Sequence, residues 1–584
     1  MILQSPAAPG AVSLNLIEGG LTAIAFGLAF AWPRIANSWF SRVERAFGRL
    51  ARKKGLAVAV VGFSAILLRL AILPLWPIPL PFVPDDFSFL LAADTFLHGR
   101  LANPTPAMWV HFESIHIDMR PTYGSMYFPA QGLLMALGKL LFGHPWFGIL
   151  LATGLMCAAI CWMLQAWLPP SWALLGGFLA VLRLGLFTYW INTYTGGAPI
   201  AALAGALVLG ACPRLIRTGR FRYGLLLSIG IALLVLTRPY EGMLLCLPVA
   251  FVLGRWILFG KNRPSPAVLL RRAAVPVALL VATAAWLCYY DYRSFGSPTT
   301  LPYKVNRTTY AVAPYYVWQS PRPFPVYHHP ILREFYTNME MRGVDKMRTL
   351  TGYPPQTVLK ATIGLLFFAG FALMPPLLMV RRVFLDRRIR FIVIGILVLA
   401  AGMAIEIYLI PHYLAPFTAS FYAFGLQAMR HLRVWKPGGQ PAGAAIVRLI
   451  VVLCLLMAGV RLFSKQLNLK VAEYPASEWT VWWFGPDYFG TERAAVESAL
   501  EKLPGKQLAI VREGQGHYPL NEWVYNGAEI DSAKVVWARE MDAADNLELT
   551  RYYGDRKAWL VEPDASPARI SPFPAADTTP AGSP

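Results

Sequence analysis

The sequence predicts an all-α polytopic membrane domain of about twelve spans, followed by a C-terminal soluble α/β domain. Three observations carry this prediction. Hydrophobic residues make up 56% of the 584 and charged residues only 15%, whereas about a quarter of an ordinary soluble domain is charged. The mean hydropathy is +0.46, and the apolar residues gather in runs that approach the length of a bilayer crossing. Beyond residue 464 these runs give way to short strand-like stretches.

Charge sets the topology. The net charge is +21, but Arg and Lys collect in short loops between apolar runs, as cytoplasmic loops do. This pattern reads as membrane topology and not as nucleic-acid binding. The six cysteines, Cys157, Cys161, Cys212, Cys246, Cys288 and Cys454, lie in or beside apolar runs. They read as small buried side chains without a disulfide framework.

In chain order, residues 1–55 hold an extra span and a basic cytoplasmic segment. The span is 14–32, with no Lys or Arg before it, so it reads as retained and not cleaved. Arg34, Arg42, Arg45, Arg49, Arg52, Lys53 and Lys54 follow against Glu44 alone, which places the N-terminus outside. The transmembrane domain is 56–464. Its first run, 56–76, leads outward into a loop at 77–124 that is acidic where the cytoplasmic loops are basic. Within that loop, 86–97 has the spacing of a short helix. The apolar piece 128–143 is short and carries Gln131 and Lys139, so it is expected to lie along the membrane surface.

Parity places the basic loops Arg214–Arg222, Lys261–Arg272, Arg381–Arg390 and Arg430–Lys436 inside. The remaining spans are then 146–167, 171–190, 197–212, 224–237, 242–259, 273–290, 358–380, 391–410, 413–430 and 446–464. A second outer loop, 291–357, is basic and rich in Tyr and Pro, which suggests an anionic ligand. Residues 465–565 read as an α/β domain, with strands at 507–512, 535–539 and 558–562 and a helix at 491–503. The tail, 566–584, is rich in Pro, Ala, Ser and Thr and is expected to be disordered.

The chemistry centres on Asp85 and Asp86, just beyond the 56–76 run. Ionisable groups there are costly, because the charged form loses hydration. One reading is structural, with Asp85 capping a helix that begins at Asp86. The other is a carboxylate that acts as a base or holds a cation. Downstream stand Trp109-Val110-His111-Phe112-Glu113-Ser114-Ile115-His116 and Arg120-Pro121, then Tyr127-Phe128-Pro129 ahead of the next span.

With this acidic pair and the later Tyr-x-Pro segment, the chain resembles the C-type (GT-C) membrane glycosyltransferases. It is nearest the group of protein mannosyltransferases and aminoarabinose transferases. The resemblance covers residues 56 to about 430 in architecture and about 80–132 in motif. It implies an enzyme that takes a sugar from a polyprenyl-phosphate carrier. Asp85 would be the general base on an acceptor hydroxyl or amine, with its pKa raised by partial burial, and the sugar would transfer with inversion. Asp86 would orient the acceptor or hold a metal.

The leaving phosphate needs cations, and Arg120, Arg238, Lys304 and Arg307 are the candidates. Tyr127, Glu241, His412 and Tyr413 join them as donor contacts. An ion pair closing a tight turn is the plainer reading of Arg238 and Glu241, and simple solvation that of the loop cations. Asn192, Tyr194 and Thr195 before Gly196-Gly197 form a candidate sugar-binding turn. Asp94, His111, Glu113 and His116 are candidates for the acceptor side. A divalent metal, if used, would draw on Asp85, Asp86, His111, Glu113 and His116. Their spacing matches no closed zinc pattern, and no cofactor is assigned.

The expected partners are a polyprenyl-phosphate-linked sugar, membrane lipid and an envelope acceptor (glycan, lipid or protein), with no nucleic acid. The expected place is a bacterial inner membrane, with the active site and C-terminal domain facing the periplasm. The rival readings are a transporter or flippase, and an O-antigen ligase or polymerase, acting on lipid-linked saccharides. A transporter is expected to carry charge at broken helices in paired halves, and no half-repeat is visible here.

Overall fold

The structure, a computed structural model, describes residues 14–260, 263–469 and 490–574. A helix stands at each of the twelve expected spans. Seven are long and apolar enough to cross a membrane. The number is eight if Pro375–Leu385 and Arg390–Ile405, bent by 108°, form one broken span. Others fall short: Pro170–Leu184 and Phe221–Val235 have 15 residues each and Tyr353–Ala369 has 17. Hydropathy thus located the helices, while Pro and Gly set their lengths. Tyr353–Ala369 stops at Gly370, whose φ of 55° suits a residue without a Cβ.

The two ends of the bundle differ as the charge pattern predicts. The basic segment after the first span folds into the helix Asn37–Arg52. Its Glu44 accepts hydrogen bonds from Arg433 at 2.8 Å and Arg448 at 2.9 Å. Arg272 donates to the Gly219 carbonyl at 2.7 Å. Residues from the basic loops therefore meet at one end of the bundle. Outer loops 77–124 and 291–357 lie at the other, with the turns at 185–197, 236–239 and 406–417.

The first span is not a loose appendage. Glu18 is 1% exposed and accepts hydrogen bonds from Arg183 and Arg461, both at 3.1 Å. Charges at such depth are tolerated only when paired, so this triad ties Leu14–Ala31 to Pro170–Leu184 and Ala442–Leu462.

The outer elements follow. Helix Pro84–Leu97 opens with Pro84 at its first turn and places Asp85 and Asp86 near the positive end of its dipole. Its cap position is Val83, so Asp85 is not the cap considered from the sequence. Helix Ala130–Phe142 has 13 residues, about 20 Å, too short to cross a bilayer. It leaves Leu133, Leu137, Leu140, Leu141 and Phe142 exposed, as a helix lying at the membrane surface would.

The C-terminal unit is a four-stranded sheet in the order Val535–Arg539, Lys506–Val511, Arg556–Glu562, Arg569–Pro572. The first three strands are parallel and the last antiparallel. Successive residues face opposite sides. Leu508, Ile510, Val536 and Ala538 pack on Leu91, Phe112, Ile117 and Met119 of the first outer loop. Ala509, Val511, Val535 and Trp537 pack on Val496 and Leu500 of helix Thr491–Glu501 and on Trp523. The sheet is thus built onto loop 77–124 and shares its core. The expected disordered tail needs correction, because Arg569–Pro572 pairs with Arg556–Glu562; residues 575–584 of that tail lie outside the described residues. The helix Ala543–Tyr552 was not anticipated.

Candidate active site

A cavity of about 500 Å³ opens at the outer end, where both outer loops meet the turns between spans. Its polar centre is Asp85. One carboxylate oxygen, Oδ1, accepts a hydrogen bond from the Tyr127 hydroxyl at 2.6 Å and a short one from Nδ1 of His116. The other, Oδ2, accepts from the Thr195 hydroxyl at 3.0 Å. His116 reaches this position with a φ of 65°, a conformation uncommon for any residue but glycine. Its carbonyl is fixed by the Ser88 hydroxyl at 2.7 Å.

Asp86 points the other way and is 2% exposed. Its oxygens accept from the backbone amides of Tyr194 at 2.9 Å and Phe82 at 3.2 Å. It therefore ties the segment after the Lys54–Ala71 span to the turn before the Ala198–Thr218 span. The electrostatics follow. Burial would raise Asp85, but the His116 charge and the hydrogen bonds from His116, Tyr127 and Thr195 outweigh it and hold the carboxyl far below the usual range. Burial, against the amides of Phe82 and Tyr194 and helped by the Asp85 charge, pushes Asp86 up to about 7. The raised pKa expected for Asp85 thus belongs to its neighbour, because Asp85 collected three donors and Asp86 was buried among backbone amides.

The turn Tyr194-Thr195-Gly196-Gly197 is built for close approach. Gly196 has φ 86°, and a Cβ there would sit 2.7 Å from Nδ1 of His412. His412 is buried, and the Tyr189 hydroxyl lies 2.9 Å from its Nδ1. Burial and the Arg238 charge hold its ring well below the ordinary histidine range, so it is neutral. Arg238 donates to the Gly196 carbonyl at 2.9 Å, lies 3.8 Å from Glu241 and stacks 4.9 Å over the Tyr413 ring. Its positive charge is thereby fixed beside the cavity.

Of the residues singled out from sequence, Asp85, Asp86, His116, Tyr127, Arg238, Glu241, Lys304, Arg307, His412 and Tyr413 all line this cavity. Arg307 is paired with Glu340, while Lys304 stands at the rim with an exposed side chain. Asn192 and Thr195 of the candidate sugar-binding turn line the cavity too, and the remaining candidates lie elsewhere. Arg120 stacks 4.3 Å over the Trp109 ring and does not line the cavity. Asp94 accepts from the Ala528 amide at 2.8 Å and helps hold the C-terminal sheet. His111 bonds the Arg539 carbonyl at 2.9 Å. Glu113 accepts from Tyr310 at 2.8 Å and lies 2.8 Å from His328. The suggested metal set is thus split between two places. Among the described residues no three His, Cys, Asp or Glu side chains form a group able to hold a metal.

Sequence reasoning missed Tyr189, Tyr303 and Glu406, which line the cavity. The density of Tyr in loop 291–357 was the one signal that pointed to Tyr303. His517 sits beside Asp564 at 2.7 Å in the C-terminal unit, away from the cavity.

Fold and site together define a multi-pass membrane protein with an ionised carboxylate and a fixed cation in a cavity at one end of its bundle. No family model matches the chain, and no curated protein matches it. Solved structures do. The Archaeoglobus fulgidus oligosaccharyltransferase tethered with an acceptor peptide is 12% identical over 90% of this chain and 69% of its own, with a TM-score of 0.44. ArnT from Cupriavidus metallidurans in the apo state is 12% identical over 85% of this chain and 92% of its own, at 0.47. ArnT bound to undecaprenyl phosphate is 13% identical over 86% and 92%, at 0.46.

Proposed function

We propose that this protein is an integral membrane glycosyltransferase that moves a sugar from a polyprenyl-phosphate donor to an envelope acceptor. One observation carries the reading: an ionised, partly accessible Asp85 shares a cavity with the fixed cation Arg238. Single displacement at an anomeric carbon needs this pairing, a base on one side and an anion-stabilising charge on the other.

In the proposed step the acceptor hydroxyl or amine takes the place of the Thr195 hydroxyl at Asp85. Each donor removed makes the carboxylate a stronger base. The acceptor proton passes to Asp85 as the new bond forms at the anomeric carbon. The carbon–oxygen bond to phosphate breaks, and the phosphate leaves with the electron pair toward Arg238 and Lys304, which gives inversion. Tyr127, whose hydroxyl is held protonated by burial and by the Asp85 charge, stays a donor throughout. Asp86 positions the turn that carries Thr195. The basic loops at the opposite end of the bundle support a reading in which this chemistry faces the periplasm of a bacterial inner membrane.

The test uses membranes containing wild-type protein or Asp85→Asn, supplied with labelled polyprenyl-phosphate sugars and envelope acceptors. Label is expected to leave the lipid with wild type, and the variant to be slower by about 10²–10⁴-fold, the range for a lost general base. Label that leaves equally fast in both removes Asp85 from the chemistry. Label that only changes sides of the membrane on its lipid makes the protein a transporter.

A further inference from the structure

One wall of the cavity takes no part in the chemistry above. Tyr240 comes from helix Pro239–Phe259, Tyr316 from the second outer loop, and Glu406 and Tyr413 from the turn after helix Arg390–Ile405. The backbone at Glu406 is pinned. It pairs with Tyr316, the Ile407 amide donates to the Tyr315 carbonyl at 2.8 Å, and the Lys360 ammonium is engaged by the carbonyls of Met403 and Glu406. The Glu406 side chain is different. The residue is 8% exposed and lines the cavity, yet its Oε2 is sealed from the surface with no hydrogen-bond partner. Among the described residues no ion pair reaches it, while its neighbour Glu241 has Arg238 at 3.8 Å.

A buried carboxyl oxygen without a hydrogen-bond partner is uncommon, and such an exception calls for a ligand that completes it. The chemistry narrows that ligand. A prenyl chain brings no hydrogen-bond donor. A phosphate is drawn to the fixed charge of Arg238 instead. A sugar ring brings hydroxyl donors on its edge and an apolar face of C–H bonds. The wall matches both: Tyr240 and Tyr316 stand 5.6 Å apart as an aromatic surface beside the acceptor oxygens of Glu406.

We infer that this wall is the subsite for the sugar ring of the donor. Glu406 accepts a hydrogen bond from a ring hydroxyl, and Tyr240, Tyr316 and Tyr413 pack against the ring. Glu406 is then a specificity-determining residue. It selects a glycosylated carrier over the bare carrier phosphate that remains after transfer. The inference rests on the glycosyltransferase reading.

The test measures binding of farnesyl phosphate, and of farnesyl-phosphate glucosides, galactosides and mannosides, to purified protein in lipid nanodiscs. Wild type is expected to bind one of the glycosides about tenfold tighter than farnesyl phosphate, the scale of one good hydrogen bond. Glu406→Leu is expected to lose that advantage, and Glu406→Gln, nearly the same shape, to lose part of it. Both should bind farnesyl phosphate as wild type does. If the variants weaken both kinds of ligand equally, or neither, the subsite assignment is wrong. If wild type binds farnesyl phosphate but gains nothing from any of the sugars, the assignment fails and the glycosyltransferase reading stands. If wild type binds none of these ligands, both fall.

Discussion

Two buried polar assemblies flank outer loop 77–124, and they are finished to different degrees. On one side Arg539, 2% exposed, joins that loop to the C-terminal sheet. It donates to both oxygens of Glu522 at 2.8 Å, to Glu513, and to the Glu113 carbonyl at 2.8 Å. Glu522 takes two more donors, the Ser114 hydroxyl at 2.7 Å and the Val524 amide at 2.8 Å. Charge and hydrogen bonds close on themselves. On the other side lies the cavity, where Glu406 has an unmet oxygen and Lys304 stands at the rim with no ion pair among the described residues. A closed network holds parts together, whereas an open one waits for something to complete it. Adjacent residues can fall on opposite sides of this divide: Asp86 is spent on backbone amides, while the bonds to Asp85 come from hydroxyls and an imidazole that a substrate is able to displace.

The sharpest way to break the comparison is to open the closed side. Arg539→Met strands Glu522 and Glu513 and is expected to cost about 3–5 kcal/mol of stability, as removing one partner of a buried pair does. Thermal unfolding of the detergent-solubilised protein reads this directly. In the same assay Asp85→Asn, the variant that loses transfer, should cost less than Arg539→Met, because an Asn oxygen can still accept from Tyr127 and Thr195. Equal melting of Arg539→Met and wild type would mean that the Arg539 network is not what joins the sheet to the loop.

A smaller effect separates the two aspartates by pH. Asp86 is raised from its ordinary 3.8 to about 7, so the folded protein holds a proton that the unfolded chain releases near pH 4. Its contribution therefore falls as pH rises from about 4 to about 7 and is level above that. Asp118, buried against Asn306, is also pushed up to about 7 and adds to the same slope. Asp85, held low, contributes in the opposite sense: its stabilisation is present above pH 4 and is lost as pH falls. Asp86→Asn should remove part of the loss between pH 4 and 7 in unfolding measured across that range. A slope unchanged in Asp86→Asn would show that Asp86 is ionised in the folded state.

What was legible in the sequence follows from range. Helices, basic ends and the acidic pair are local signals, and they led to Asp85, Tyr127, Arg238, His412 and Tyr413, all of which line the cavity. Which aspartate has the raised pKa was not legible, because the donors to Asp85 come from residues 31, 42 and 110 positions away. Arg120 looked like a phosphate ligand until the fold laid it on Trp109, and Asp94 like an acceptor contact until it met Ala528. His111 and Glu113 looked like metal ligands, but the Arg539 network that claims this stretch lies more than 400 residues on in the chain. Glu406 shows the converse. A lone Glu at the end of an apolar run looks incidental until three tyrosines are placed around it.

The central claim, that Asp85 activates an acceptor for one direct displacement, is tested most directly by the product's stereochemistry. Purified protein in liposomes would be given donors of known anomeric configuration, and the glycosidic linkage of the product would be read by NMR coupling constants. The account predicts a product of the opposite configuration to the donor. A product with the donor's configuration retained would contradict it, since retention requires a second displacement for which Asp85 as a simple base has no role.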